Sequence, residues 1–344
     1  MLNSQELQEI KEHLENSQNP LFFFDNDVDG LCSFLVLRRA IDRGRGVAIK
    51  SFPELKEQYF RKVEELNPDA VFILDKAEVG KEFVELVETR GIPIIWIDHH
   101  ESKTPKEIIE KTFYYNSMPS AEPTTYIAQK VFNRQEDLWL AVIGCVSDVY
   151  KPDFAEEFEK KYPETFDFSL DPFDALHKTK VGQIIQILNF GLMDTITNVV
   201  NLQKYLFKAR DIYDIEEENQ YTKQLHKRVR ELQEFFNKQI EKAKTSVNEN
   251  SKLLFFSYSG NMSMSSEIAN KLFYDNKEKF VVVAYRRPEK ANISIRGKDA
   301  LKITNEIVEK IPGATGGGHA EATGMMIPIT EFDNFKKLVE EIVN

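Results

Sequence analysis

Between residues 20 and 98 the chain alternates short, wholly apolar runs with longer stretches of helical length. Leu21 to Phe24, following Pro20, is a four-residue apolar run that reads as a buried strand; LCSFLVLRRAID, opened by Gly30, reads as a helix. KSFPELKEQYFRKVEELN predicts a second helix, and DAVFIL a clean buried strand. EVGKEFVELVETRG is a helix closed by Gly91, and IPIIWI is a further strand. Apolar strands separated by helix-length segments specify parallel βαβ units with right-handed crossovers. Each strand runs into an aspartate: Asp25, Asp75 and Asp98. One Asp after a strand is usually a turn or a helix cap, but three in succession converge on one edge of a parallel sheet, where open α/β sheets gather ligands.

Farther along, EPTTYIAQKVFNR and DLWLAVIGCVSDVY predict helices, the second with Asp148 near its C-terminal end. The helix dipole disfavours a carboxylate there, so another group should hold it. Residues 151–216 predict charged loops and short helices around Phe173 to Phe190. A long connector helix is expected between Glu217 and Thr245, where Tyr221, Leu225, Val229, Leu232, Phe236 and Ile240 recur every three or four residues. From Lys252 the chain turns to short strands, KLLFFSY, KFVVVAYR and NISIR, and the helices SSEIANKLFYD, ALKITNEIVEK and EFDNFKKLVEEIV. The fold class is therefore α/β: an N-terminal parallel-sheet domain over residues 1–205, a connector over 206–250, and a smaller α/β domain over 251–344.

Composition narrows the function. No apolar run approaches the roughly 18 residues of a membrane span, and the polar start MLNSQELQEIKEHLENS has no signal-peptide core, so a cytoplasmic protein without membrane partners is expected. Cys32 and Cys145 both lie in apolar helical patterns, which makes them core residues and excludes a disulfide framework or a paired-cysteine zinc site. A net charge of −11 argues against broad electrostatic binding to a duplex. Action on phosphates would then need metal ions to supply positive charge.

The candidate chemistry lies in DNDVDG and DHHES. Asp25, Asp27 and Asp29 occupy alternate positions, close enough to raise one another's pKa or to require a cation. D-x-D-x-D-G is half of a calcium-loop signature, but the twelfth position is Val36 instead of a bidentate Glu. A solvated acidic turn is the plain alternative. Asp27, Asp29, Asp75, His99 and Asp148 together supply oxygen and imidazole ligands suited to two divalent ions, manganese first and magnesium second. Two such ions activate a bridging water and clamp a phosphoester, which predicts hydrolysis. In the second domain, GATGGGHAEATG offers Gly316, Gly317, Gly318 and His319 to an anion, unless it is only a flexible loop. Arg296, at the end of NISIR, has the shape for bidentate phosphate recognition, although a lone surface Arg is more often just solvated.

These motifs, in this order, resemble the DHH phosphoesterases: DNDVDG, an Asp closing the second predicted strand, DHH, and a helix carrying Gly144 and Asp148. NISIRG and GGGH followed by ATG look like the DHH-associated domain of the RecJ and nano-RNase branch, and the resemblance spans nearly the whole chain. It implies one metal at Asp27 and Asp75 and a second at Asp29, Asp75, His99 and Asp148. Asp98 would orient the site, His100 would contact phosphate, and Arg296 and His319 would bind substrate in the cleft between the domains. The chain departs from the pattern at Phe23, which cannot ligate and leaves Asp25 to act as a ligand, and at Lys76, an ammonium next to Asp75. The implied activity is metal-dependent hydrolysis of single-stranded RNA or DNA, or of short oligonucleotides. Alternatives are a catalytically degenerate scaffold working with replication or repair proteins, and a small-molecule nucleotide phosphatase. The oligomeric state stays open.

Overall fold

The computed structural model describes residues 1–51, 54–248 and 250–343. The chain divides into two compact units, Met1–Val229 and Arg230–Asn344, the division falling inside the helix Lys223–Lys244.

Five parallel strands form the sheet of the first unit: β1 (Pro20–Asp25), β2 (Arg45–Ile49), β3 (Ala70–Leu74), β4 (Ile94–Asp98) and β5 (Phe113–Asn116), in the order β2-β1-β3-β4-β5. Side chains alternate between the faces of a strand. Phe22, Phe24, Phe72, Leu74, Ile95 and Ile97 therefore enter one core, with Leu31, Phe34 and Trp139 from the helices. Leu21, Phe23, Val71, Ile73, Ile94 and Trp96 enter the opposite core, against Val63, Phe83, Val84 and Val87. Burial on both faces explains why these strands are continuous apolar runs without alternation. Each such side chain contributes about 1.5–3 kcal/mol. Phe23 is fully buried in the second of these cores, edge-on to Phe83.

Four expectations need correction. The sheet has two strands that the hydrophobic pattern did not reveal, β2 and β5. Both are edge strands, partly open to solvent, so neither carries an unbroken apolar run. The helix expected from Lys50 to Asn67 is α-helical only over Phe60–Leu66, because Glu54–Leu55 pairs in parallel with Glu78–Val79; its residues 52 and 53 lie outside the described residues. Residues 151–216 hold two 13-residue helices, Lys180–Leu192 and Ile196–Lys208, each capped by a threonine side chain, Thr179 and Thr195. The long helix starts at Lys223, after a turn in which Asn219 and Thr222 satisfy each other's polar groups. Cys32 and Cys145 are buried in the core, as expected. Among the described residues, no helix is long and apolar enough to cross a membrane.

The second unit is a mixed five-stranded sheet of β6 (Leu253–Ser259), β7 (Phe280–Arg286), β8 (Lys290–Arg296), β9 (Thr315–His319) and β10 (Ala322–Pro328), in the order β9-β10-β8-β7-β6. The glycine-rich segment is thus strand β9, antiparallel to β10, and not a flexible loop. Glycine is needed at 316 for close packing: a Cβ there would stand 2.8 Å from that of Met325 and 3.0 Å from the Thr304 methyl. With so few side chains the strand has no hydrophobic period to read.

Candidate metal centre

The parallel register places Asp25, Asp75 and Asp98 at the carboxyl ends of the adjacent strands β1, β3 and β4. Gly30 makes the turn after β1 possible, since a Cβ there would sit 2.4 Å from the Asp25 carbonyl oxygen. Asp27 then caps the helix Val28–Ile41, accepting a hydrogen bond from the Gly30 N–H at 2.9 Å. Asp75 adopts the left-handed conformation, φ 57°, which Asp tolerates better than most residues.

Asp29 is fully buried in the first turn of that helix. Its carboxylate accepts from the N–H groups of Thr124 and Thr125 at 2.8 and 2.9 Å, and its carbonyl from the Thr125 hydroxyl at 2.8 Å. The helix Thr124–Phe132 follows Pro123 and has no side-chain cap of its own, so Asp29 caps it from a distance. The helix Leu138–Ser147 packs so closely there that a Cβ on Gly144 would lie 2.3 Å from the Thr125 hydroxyl oxygen. Gly144→Ala should therefore lower stability by about 1–3 kcal/mol, as overpacking does. Adding Thr125→Ala should recover part of that loss, because the backbone N–H to Asp29 is retained; equal urea midpoints for the single and double variants would show that the contact is not the cause.

His99 joins the carboxylates. Its Nε2 lies 3.2 Å from Asp75, 3.2 Å from Asp148 and 3.9 Å from Asp29. His99 thus holds Asp148, which ends the helix Leu138–Ser147 against the helix dipole. His100 turns to Asp98, whose carboxylate accepts from its Nδ1 at 2.8 Å and its backbone N–H at 3.2 Å. Two groups have ligand atoms within 4.8 Å of one another: Asp75, His99 and His100; and Asp29, His99 and Asp148. Asp25, Asp27 and Asp98 stand outside both groups. Asp25 instead meets Lys76, whose buried ammonium lies 3.3 Å from both carboxylate oxygens and 3.0 Å from the Ser51 carbonyl. Asp25→Ala should leave that ammonium buried without its charge partner. We expect a loss of about 2 kcal/mol in chemical denaturation, less than the ~3–5 of a fully buried pair because Asp25 is partly exposed. A stability within a few tenths of wild type would show that water compensates.

The electrostatics are those of a centre short of positive charge. Burial, then the neighbouring Asp148, pushes Asp29 up to about 7; burial, then Asp29, does the same to Asp75. Burial and the charges of Asp75, Asp25 and Asp148 raise Asp27 well above the carboxylate range. Burial lowers the basicity of His99, but its bonds to Asp148 and Asp75 more than reverse this, and its pKa ends well above the ordinary value. Burial is likewise outweighed at His100, which Asp98 raises to about 9. With no metal present, protons do the neutralising. Asp75 Oδ2 is buried without a hydrogen-bond partner among the described residues. An acceptor so placed, inside a set of oxygen and imidazole donors, fits a hard or borderline divalent ion.

Of the residues assigned to substrate, Arg296 ends β8 and spends its guanidinium inside its own unit, on Asn270 at 2.6 Å, Ser266 at 2.8 Å and the carbonyls of Ile295 and Thr323. Burial brings its pKa down to about 10. His319 is exposed at the end of β9, beyond Gly316, Gly317 and Gly318. Sequence reasoning missed Thr124 and Thr125; the signal available was a Pro followed by two Thr at a helix start, where unpaired N–H groups are expected.

A parallel sheet whose carboxyl edge carries an aspartate–histidine centre, joined to a second α/β unit, is the architecture of a DHH phosphoesterase. Residues 21–147 match the N-terminal domain of the DHH family and residues 250–344 match the DHHA1 domain, so the chain belongs to the DHH family and carries a C-terminal DHHA1 domain. An uncharacterized protein of Methanocaldococcus jannaschii is 22% identical over 88% of this chain and 76% of its own length. The fold is similar to that of RecJ in complex with Mn2+ from Thermus thermophilus, with a TM-score of 0.71 and 14% identity; 99% of this chain is covered, but only 55% of that one. It is also similar to an exonuclease RecJ bound to manganese, with a TM-score of 0.65, 16% identity, and 99% and 95% of the two chains covered.

Proposed function

We propose that the protein is a metal-dependent phosphodiesterase that hydrolyses single-stranded RNA or DNA, or short oligonucleotides, to nucleotides. The observation that carries this reading is the pair of ligand groups sharing His99 at the carboxyl edge of the sheet. Asp29, Asp75, His99 and Asp148 would hold divalent ions, Mn2+ before Mg2+, which when bound supply Lewis-acid polarisation and an activated water. The Thr124 and Thr125 N–H groups fix the Asp29 carboxylate in place. His100, oriented by Asp98, brings an imidazole N–H donor to a substrate phosphate. We assign Arg296, the β9 glycines and His319 of the DHHA1 domain to substrate binding. The manganese-bound state of the two RecJ structures supports the choice of ion.

The test is incubation with Mn2+ and end-labelled single strands of RNA and of DNA. Mononucleotide release is expected, with no cleavage in chelator. His319→Ala should raise KM by about tenfold while leaving kcat and metal binding unchanged, as loss of a binding contact does. Intact RNA, DNA and dinucleotides at saturating manganese would leave the scaffold reading in its place.

A further inference from the structure

The sheet of the first unit ends at β2, which pairs with β1 alone, so its outer edge has no strand partner among the described residues. A groove of about 920 Å3 lies along that edge, flanked by the helices Phe60–Leu66 and Ile196–Lys208. Its lining contains Arg38, Arg45, Lys50, Arg61, Lys62 and Lys204, and no carboxylate among the described residues, in a chain whose net charge is −11. Arg61 and Lys62 share Glu65. Arg45, Lys50 and Lys204 are exposed and have no ion-pair partner among the described residues; Lys50 donates to the Asp194 carbonyl at 3.2 Å, and Arg38 feels the Asp42 charge and donates to the Gly44 carbonyl at 3.0 Å. Cations gathered this densely on an acidic protein create a local positive potential that attracts an anionic partner.

The rest of the lining decides what kind of anion fits. Val47, Ala48, Leu66, Val200 and Ile196 are aliphatic, and Ile196 is 75% exposed. The two rings are already engaged: Phe34 is buried in a stack with Phe24, while Tyr59 packs edge-on against Phe23 and accepts from the Lys50 N–H. The lining offers no open aromatic face on which the bases of a single strand could stack. An unpaired strand edge, by contrast, offers main-chain donors and acceptors to another polypeptide.

We infer that this groove binds an extended acidic segment of a protein partner, which adds to the sheet as a strand beside β2. Its main chain pairs with the edge, its aliphatic side chains cover Val47, Ala48 and Ile196, and its carboxylates meet Arg45, Lys50 and Lys204. At about 3.3 Å per residue, five-residue β2 accommodates a partner strand of about the same length. None of the groove's lining residues belongs to the two proposed ligand groups, so the segment would recruit the protein and not be its substrate.

The test uses the full chain and a fluorescent peptide of alternating Glu and Val, followed by anisotropy. Binding is expected, with a Lys/Val peptide of equal length failing to bind. Methylating alternate backbone nitrogens, in one of the two registers, should weaken the peptide about tenfold, because strand addition needs those N–H groups; Arg45→Glu with Lys204→Glu should weaken it about as much. Both substituted residues are exposed, and an unchanged melting temperature will confirm the fold. The N-methylated peptides test the idea on unaltered protein should the variant fail to fold. Absence of peptide binding, or binding indifferent to both charge reversal and N-methylation, overturns the inference. So does a labelled single-stranded oligonucleotide that alone binds and is released by the same reversals, which would give the groove to nucleic acid.

Discussion

Asp75→Asn is expected to reduce hydrolysis by roughly a thousandfold, comparable to removing a principal electrostatic contact of a catalytic centre, while making the metal-free protein more stable. Asn keeps the size of the side chain and tolerates the left-handed backbone at this position, so the substitution isolates the charge. The carboxylate it removes lies beside His99 and His100 at 3.2 and 3.8 Å and has one buried oxygen without a hydrogen-bond partner. Its loss takes away a proposed metal ligand and a source of repulsion toward Asp29. The metal-free melting temperature should therefore rise at pH 8, while calorimetry shows weaker Mn2+ binding. An unchanged turnover in this variant would remove Asp75 from the reaction, and a fall in metal-free stability would show that its contact with His99 outweighs the repulsion.

The second large effect is the opposite response of metal-free and metal-loaded protein to pH. Asp29 and Asp75 titrate near 7 in the fold, against about 3.9 in the unfolded chain. Between those values the native state binds more protons than the unfolded one, so stability falls as pH rises through that window. His99 acts in the same direction: its raised pKa contributes stability below about 6.5 that is lost as pH climbs through the folded value. Metal ligation requires ionised carboxylates and a neutral imidazole, and so releases protons and strengthens over the same range. The gap in melting temperature between Mn2+-loaded and chelator-treated protein should widen from pH 6 to pH 8, with proton release in calorimetry. Parallel curves would mean that these groups do not ligate the ion.

What the amino-acid order determines by itself is whatever rests on local chemistry and on burial from both sides. The runs ending at Asp25, Asp75 and Asp98 are strands because central parallel strands must be apolar on both faces, and their sequence of strand, acidic turn and helix brings the carboxylates to one edge. The motif order around DNDVDG, DHH and GGGH was enough to identify the family. Edge strands escaped because β2 and β5 are half-exposed and carry no continuous apolar signal, and β9 because glycines have no side chains to be periodic. Tertiary structure alone decided which partners each polar group meets. Lys76 pairs with Asp25 across two strands, Asp29 caps a helix that begins 95 residues later, and His99 shares one nitrogen among three carboxylates. Those contacts depend on the sheet's register and on the close approach at Gly144, which no local pattern encodes.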